Sequence, residues 1–313
     1  MLSRLAESLF WIGRYVERAD DTARIVDVHL QFLLEDPWAD EDLTCRSLLA
    51  VMGVPVPDDV TADRELVLRS LAWSPEPGSV LGAVSAAREN ARRAREAVST
   101  DLWEALNTTW NALRVRAKPG SAPHPLFGWV RERTAVVQGL ADSTMSRDVT
   151  WNFLAAGRSI ERADMTARLV ASRAVAGTTG PSWQVLLRSC GAHEAYLRAH
   201  HGAVGDERAA EFLLLDPSFP RSVVHAIRQA EQCLEVLAGQ SGAGSRRLTD
   251  DDPRRMLGRA RAELEYTRLT DLLADLPQAM ARVQQACSRA SEATAQRFFP
   301  QDAGTTWTSR GFE

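Results

Sequence analysis

The sequence predicts an all-α protein: a tandem-duplicated helical bundle whose two halves are related by a pseudo-twofold axis. Three observations carry the prediction. Apolar residues recur at three- and four-residue steps along nearly the whole chain, and no window alternates at period two long enough to form a strand. The segment Gly13-Arg14-Tyr15-Val16-Glu17-Arg18-Ala19-Asp20-Asp21-Thr22-Ala23-Arg24 returns as Gly157-Arg158-Ser159-Ile160-Glu161-Arg162-Ala163-Asp164-Met165-Thr166-Ala167-Arg168, 144 residues later. Ser79-Val80-Leu81-Gly82-Ala83-Val84 also aligns with Ser222-Val223-Val224-His225-Ala226-Ile227 at a spacing of 143, each behind a Pro-containing turn. Such a period is too long for a solenoid and means two related halves.

Taken in order, the first helix carries an apolar stripe of Leu5, Leu9, Ile12, Val16, Ala19, Ala23, Val26 and Leu30, and Asp36-Pro37 ends it. Helical patterns follow near 40–52, 62–72, 79–98, 100–117 and 124–146, parted by Pro and Gly clusters such as Gly53-Val54-Pro55-Val56-Pro57. Asp101 and Glu104 suit the positive N-terminal end of the helix near 100–117. The second half repeats the series at 148–174, 182–201, 206–215 and 221–238, then a stretch 253–297 of one helix or two. Gly239–Gly244 reads as a flexible link. The expected organisation is a first repeat over 1–146, a second over 147–300, in one compact domain or two, and a peripheral tail 301–313 pinned by Trp307 and Phe312.

Composition narrows the function. A chain of 313 residues with 45% hydrophobic and 25% charged residues is ordinary for a soluble protein. Its net charge of −4 argues against nucleic acid and anionic membranes as partners. Lys118 is the only lysine among 37 basic residues, leaving 36 arginines, read more simply as a GC-rich genome than as selection for anion forks. Cys45, Cys190, Cys233 and Cys287 lie far apart with no C-x-x-C, which suits a reducing cytoplasm. Glu7, Arg14 and Glu17 interrupt the first apolar stretch, so neither a signal peptide nor a membrane span is expected. No zincin spacing, P-loop or nucleophile elbow occurs, and no cofactor is expected.

The repeated segment is where chemistry should be sought. With Val16 at zero on a helical wheel, Ile12, Ala19, Ala23 and Val26 face the core, and Gly13, Glu17, Asp20 and Arg24 share its shoulder, while Arg14, Arg18 and Asp21 point further out. Glu161, Asp164 and Arg168 form the matching shoulder of the second copy, flanked by Arg158 and Arg162. Gly13 and Gly157, beside small alanines, would let another helix come close; a mid-helix glycine costs about 1 kcal/mol against alanine and wants such a reason. Three readings compete. One is a structural ion-pair network in which arginines clamp Glu17 and Glu161 across the pseudo-twofold. Another is a substrate pocket with arginines on a carboxylate or phosphate and Glu17 or Glu161 as general base. The third is a two-metal site from Glu17, Asp20, Glu161 and Asp164, but its usual Glu-x-x-His helices are missing, so no metal is expected.

One asymmetry favours the pocket. Arg88, Arg92 and Arg95 flank the stripe of the helix at 79–98, and at the repeat spacing they become Glu231, Glu235 and Ala238. A solvated charge run is the plainer explanation; a site joining Glu17 to Arg88 and Arg92 is the sharper one. His193, His200 and His201 read as surface residues, and Trp11, Trp103, Trp110, Trp129 and Trp151 as packing anchors.

The opening run Met1-Leu2-Ser3-Arg4-Leu5-Ala6-Glu7-Ser8-Leu9-Phe10-Trp11-Ile12-Gly13-Arg14-Tyr15-Val16-Glu17-Arg18-Ala19 resembles the start of the bacterial alpha-E domain family. Ala87-Arg88-Glu89-Asn90-Ala91-Arg92, Phe219-Pro220-Arg221-Ser222-Val223 and the second copy of the repeat match too, so the resemblance runs to about Phe299. The resemblance implies an all-helical protein found beside, or fused to, circularly permuted ATP-grasp proteins resembling amidoligases, often with transglutaminase-like peptidases nearby. The implied role is an accessory or substrate-presenting scaffold of a peptide-forming or peptide-modifying system. By the same resemblance Glu7, Arg14, Glu17, Arg18, Arg24, Arg88, Glu89, Asn90 and Arg92 are the positions to watch. Trp151 in place of Glu7 and Glu231 in place of Arg88 count against a second equivalent site. The rivals are an enzyme acting through Glu17 on an anionic substrate and, least favoured, an aminoacyl-tRNA or RNA binder with steep salt dependence.

Overall fold

Serine and aspartate side chains set many of the helix starts. Asp40, Asp63, Ser79, Ser99, Ser182 and Asp252 each accept a backbone N–H from the first turn that follows, satisfying donors that the helix itself leaves open. The computed structural model describes residues 3–36, 38–117, 122–176, 181–240 and 249–299. Among them lie α1 (Ser3–Glu35), α2 (Glu41–Val51), α3 (Arg64–Leu71), α4 (Val80–Arg93), α5 (Thr100–Arg116), α6 (Pro123–Thr144) and α7 (Val149–Ala176). There follow α8 (Trp183–Ser189), α9 (His193–His200), α10 (Asp206–Leu215), α11 (Val223–Gln240), α12 (Pro253–Tyr266), α13 (Leu269–Ala274) and α14 (Leu276–Phe298). No strand occurs among the described residues, so the fold is all-α. Nor is any of these helices long and apolar enough to cross a membrane.

The two longest helices, α1 and α7, pack most extensively on each other, and everything else is arranged about that pair. Against α1 lie α4 and α6, with α5 closing the space between them. Against α7 lie α11 and α14, with α12 against both. The shorter helices cross over: α8 packs on α1, and α2 reaches α7. Buried apolar side chains from both ends of the chain, from Leu5 and Phe10 through Ile160 to Met280 and Val283, form one continuous cluster. Burial of a Leu, Ile or Phe is worth about 1.5–3 kcal/mol, and side chains from both halves contribute to this one cluster.

Glycine permits the central contact. A Cβ on Gly13 would fall 2.0 Å from the Leu154 carbonyl oxygen, and one on Gly157 would fall 2.1 Å from that of Phe10. The close approach expected of these glycines is therefore made, each to the backbone of the opposite helix.

Elsewhere the sequence pattern ran together what the chain divides. The stretch 182–201 breaks into α8 and α9 at Gly191, whose φ of +63° suits a residue without Cβ. The stretch 253–297 is three helices, since α13 ends at Asp275 and Pro277 in the first turn of α14 has no N–H to continue the earlier ladder. The helix expected over 79–98 ends at Arg93 and hands over through a turn to the Ser99 cap. The link beyond residue 240 and the tail 301–313, with Trp307 and Phe312, lie outside the described residues.

Candidate functional site

Four residues beyond each crossing glycine, one helical turn on, a glutamate enters the α1–α7 interface. Glu17 is 0% exposed and Glu161 1%. Each is gripped by the arginine that follows its counterpart. Arg162 donates Nε to Glu17 Oε1 at 2.7 Å and Nη2 to Oε2 at 2.8 Å. Arg18 donates Nε to Glu161 Oε1 at 2.5 Å and Nη2 to Oε2 at 2.9 Å. Two Glu-Arg pairs thus exchange partners across the crossing in bidentate forks, the strongest form of charged hydrogen bond.

The two clamps are completed differently. Glu161 takes a further bond from Arg14 Nε at 2.5 Å, and Arg14 Nη1 is anchored on Ser291 Oγ at 2.5 Å. Arg158, the counterpart of Arg14, instead pairs with Asp142 at 3.2 Å. Glu17 receives Gln138 Nε2 at 2.9 Å and lies 2.9 Å from Arg221 Nη1. Arg221 also donates to Asp20 Oδ2 at 2.5 Å and to Asp21. Asp20 is held further by Thr134 Oγ1 at 3.0 Å and Arg24 Nη2 at 3.1 Å, and Asp164 by Arg168 Nε at 2.8 Å.

These surroundings set the protonation states. Burial opposes ionisation of Glu17, but Arg162 and Arg221 outweigh it and hold the carboxyl at about 2. Glu161 is lowered in the same way, burial being overcome by Arg14 and Arg18. Asp21 goes the other way, well above the usual range, because burial is reinforced by the charges of Glu17 and Asp20 against the pull of Arg221. Its Oδ2 is buried without a partner. Asp164 is also raised, chiefly by burial, and its Oδ1 likewise lacks a partner.

The arrangement constrains the chemistry. A sealed carboxylate held at about 2 is a poor general base at neutral pH. Ligand atoms of Glu17, Asp20 and Asp21 lie within 4.8 Å of one another, the grouping among the described residues best suited to a cation. Arg221 reaches all three carboxylates, so a guanidinium already supplies the countercharge a metal would bring. The four-carboxylate metal reading is not met either, since Glu161 is taken up by Arg14 and Arg18.

The sequence brings forward the two glutamates that the structure buries and pairs but misplaces some of their neighbours. Arg14 and Asp21, read as pointing outward, are buried, because α1 is covered by α4, α6, α7 and α8 rather than along a single stripe. The joint site of Glu17 with Arg88 and Arg92 is not formed. Arg88 lies over the Trp110 ring at 4.6 Å and the Trp103 ring at 5.5 Å and donates to Asn107 Oδ1 at 3.2 Å. Arg92 forks Glu89 at the surface, Asn90 bonds the Ala86 carbonyl of its own helix, and Glu7 is exposed. The pattern did not bring out Asp21, Gln138 and Arg221. A signal was present: Asp21 stands opposite Met165 in the repeat and Arg221 opposite Gly78, so an extra acid and an extra base fall on unmatched positions.

Fold and site together define an all-helical protein whose repeated Glu-Arg pairs are buried at the crossing of its two central helices. The family model described as "a predicted alpha-helical domain with a conserved ER motif" matches residues 1–299, and the chain belongs to this Alpha-E family. Of its Glu-Arg dipeptides, Glu132-Arg133 and Glu207-Arg208 expose the glutamate, whereas Glu17-Arg18 and Glu161-Arg162 bury it. The chain is 27% identical over 309 residues to uncharacterised proteins of Mycobacterium bovis and Mycobacterium tuberculosis, covering 90% of this chain. It spans only 35% of the length of those relatives. No solved structure matches.

Proposed function

We propose that this chain is a duplicated helical docking module, working in the cytoplasm as accessory to an ATP-grasp, amidoligase-like partner and presenting that partner's peptide or amino-acid substrate. The observation that carries the non-catalytic part is the sealing of both glutamates in reciprocal arginine forks. A buried network of this kind can fix the register between helices, because a slip would leave its charges unpaired. The Glu-Arg motif is then the lock that sets α1 on α7. The same exchange, with the matching glycine contacts, supports descent from a duplicated unit whose two repeats complete one shared core.

The docking part draws on the family resemblance and on two further observations. The mycobacterial relatives carry the matching segment within a chain of which it is about a third, as suits a module working beside other domains. Within ten residues of sequence, from the end of α1 into α2, Leu34 is 70%, Trp38 94% and Leu43 43% exposed, and apolar side chains left in water are candidates for an interaction surface.

The test is an affinity pull-down of the chain from its native cytoplasm at moderate salt, with mass spectrometry of what stays bound. Retention of an ATP-grasp protein, lost when Leu34 and Trp38 are changed to serine, is the expected result. Recovery of the chain alone would overturn the docking reading. A Glu17→Gln variant that stays folded and keeps its partner but loses turnover would instead establish a catalytic glutamate.

A further inference from the structure

The first arginine of the repeat serves different ends in its two copies. Arg14 turns onto Glu161. Arg158 makes its hydrogen bonds to Asp142 rather than to Glu17, whose remaining bonds come from Gln138 and Arg221, and lines a cavity between the end of α6, the start of α7 and α11. The cavity has a volume of about 280 Å3 and is lined by Asp142, Arg147, Trp151, Arg158, His225 and Gln229, among others. A hollow of this size, open to solvent on one side, is on the scale of an amino acid or a short peptide end.

Its chemistry is that of a carboxylate site. Asp142 already shows how one is held there. Arg158 grips it with Nη1 to Oδ2 at 3.2 Å and Nη2 to Oδ1 at 3.4 Å, Arg147 donates to Oδ1 at 3.2 Å, and Trp151 Nε1 donates to Oδ1 at 3.1 Å. The Arg147 guanidinium stacks 4.0 Å from the Trp151 ring centroid, which orients its fork. Two arginines converge on one aspartate here, so the fork can take a second carboxylate oxygen beside it or in its place. The Arg158 side chain is only 12% exposed, whereas that of Asp142 is 41% exposed and sits on the last turn of α6, so the acid is the displaceable member. His225 Nδ1 bonds the Pro217 carbonyl at 2.8 Å; a carbonyl only accepts, so Nδ1 carries the proton and Nε2 remains for another group. The first copy has no equivalent, with Glu7 where the second has Trp151 and Gly82 where it has His225.

We infer that this cavity binds a small carboxylate, an organic acid or the free C-terminus of a short peptide, in the Arg147–Arg158 fork beside Asp142. The inference does not depend on the docking reading, because purified chain without any partner tests it.

The experiment is calorimetric titration of the full chain at low salt with succinate, N-acetyl-dialanine, its C-terminal amide and inorganic phosphate. Saturable binding of one or both carboxylates and none of the amide is expected; which of the two binds tells an organic acid from a peptide end. Asp142→Asn, which removes the built-in competitor, should tighten binding several-fold. Arg158→Gln and the more exposed Arg147→Gln should weaken it roughly tenfold or more, with unchanged circular dichroism, as for loss of a charged hydrogen bond. Absence of binding by both carboxylates at millimolar concentration, in the natural chain and in Asp142→Asn alike, would overturn the assignment. So would phosphate binding as tightly as the carboxylates with the same dependence on the variants.

Discussion

Glu17 and Asp21 stand one turn apart on α1 and share Arg221, yet the same surroundings drive them in opposite directions. Glu17 is lowered to about 2, so its contribution is fully present above the ordinary carboxylate range and is lost as pH falls toward 2. That shift corresponds to a contribution on the order of 3 kcal/mol at neutral pH. Glu17→Gln leaves Arg162 and Arg221 short of a countercharge and should cost about 3 kcal/mol or more at pH 7, with a smaller loss on acidification than the natural chain shows. Urea unfolding at several pH values measures both. Asp21 is raised, so its cost appears as pH rises above the ordinary aspartate value and is largest once it ionises. Asp21→Asn, which keeps an acceptor for Arg221, should be as stable as the natural chain or more so at pH 7. A clear loss in that variant would show that the charge itself is needed. The repeat made Glu17, Arg18, Glu161 and Arg162 legible as a clamp. It could not show that Arg158 leaves the clamp and Arg221 joins it, because those choices depend on which helix end lies nearby in space.

Between elements, the decisive distance is the approach of α1 to α7. Gly13→Ala or Gly157→Ala places a methyl about 2 Å from a carbonyl oxygen of the facing helix. The helices must separate and the forks lengthen, at a cost of about 1–3 kcal/mol or more. Gly128 and Gly139 in α6 have no neighbouring atom within 4 Å of such a methyl. Alanine there should be neutral or stabilise by up to about 1 kcal/mol through helix propensity. Thermal denaturation of the four variants should separate the two pairs, and equal effects would refute the close-approach role of the crossing glycines. The glycine contacts were readable because small residues at helical spacing have few other uses. The division of 253–297 into α12, α13 and α14 was not, because the apolar period runs on through the breaks while tertiary packing turns the chain.

Across the whole molecule, the continuous core and the reciprocal forks tie residues 3–146 to residues 147–299. One cooperative unfolding transition should follow, with calorimetric and van't Hoff enthalpies equal. Two transitions, or a first repeat that folds on its own when expressed alone, would mean that the halves are independent. The sequence by itself determined the all-helical class, the repeated Glu-Arg segment and the glycines that bring its copies together, because periodicity and self-similarity are local properties of the chain. Only the tertiary structure decided which arginine serves which glutamate, that both glutamates are sealed, and that Arg158 lines a cavity. Burial and partnership are set by what the rest of the fold brings alongside each side chain, and equal residues in the two copies meet unequal neighbours.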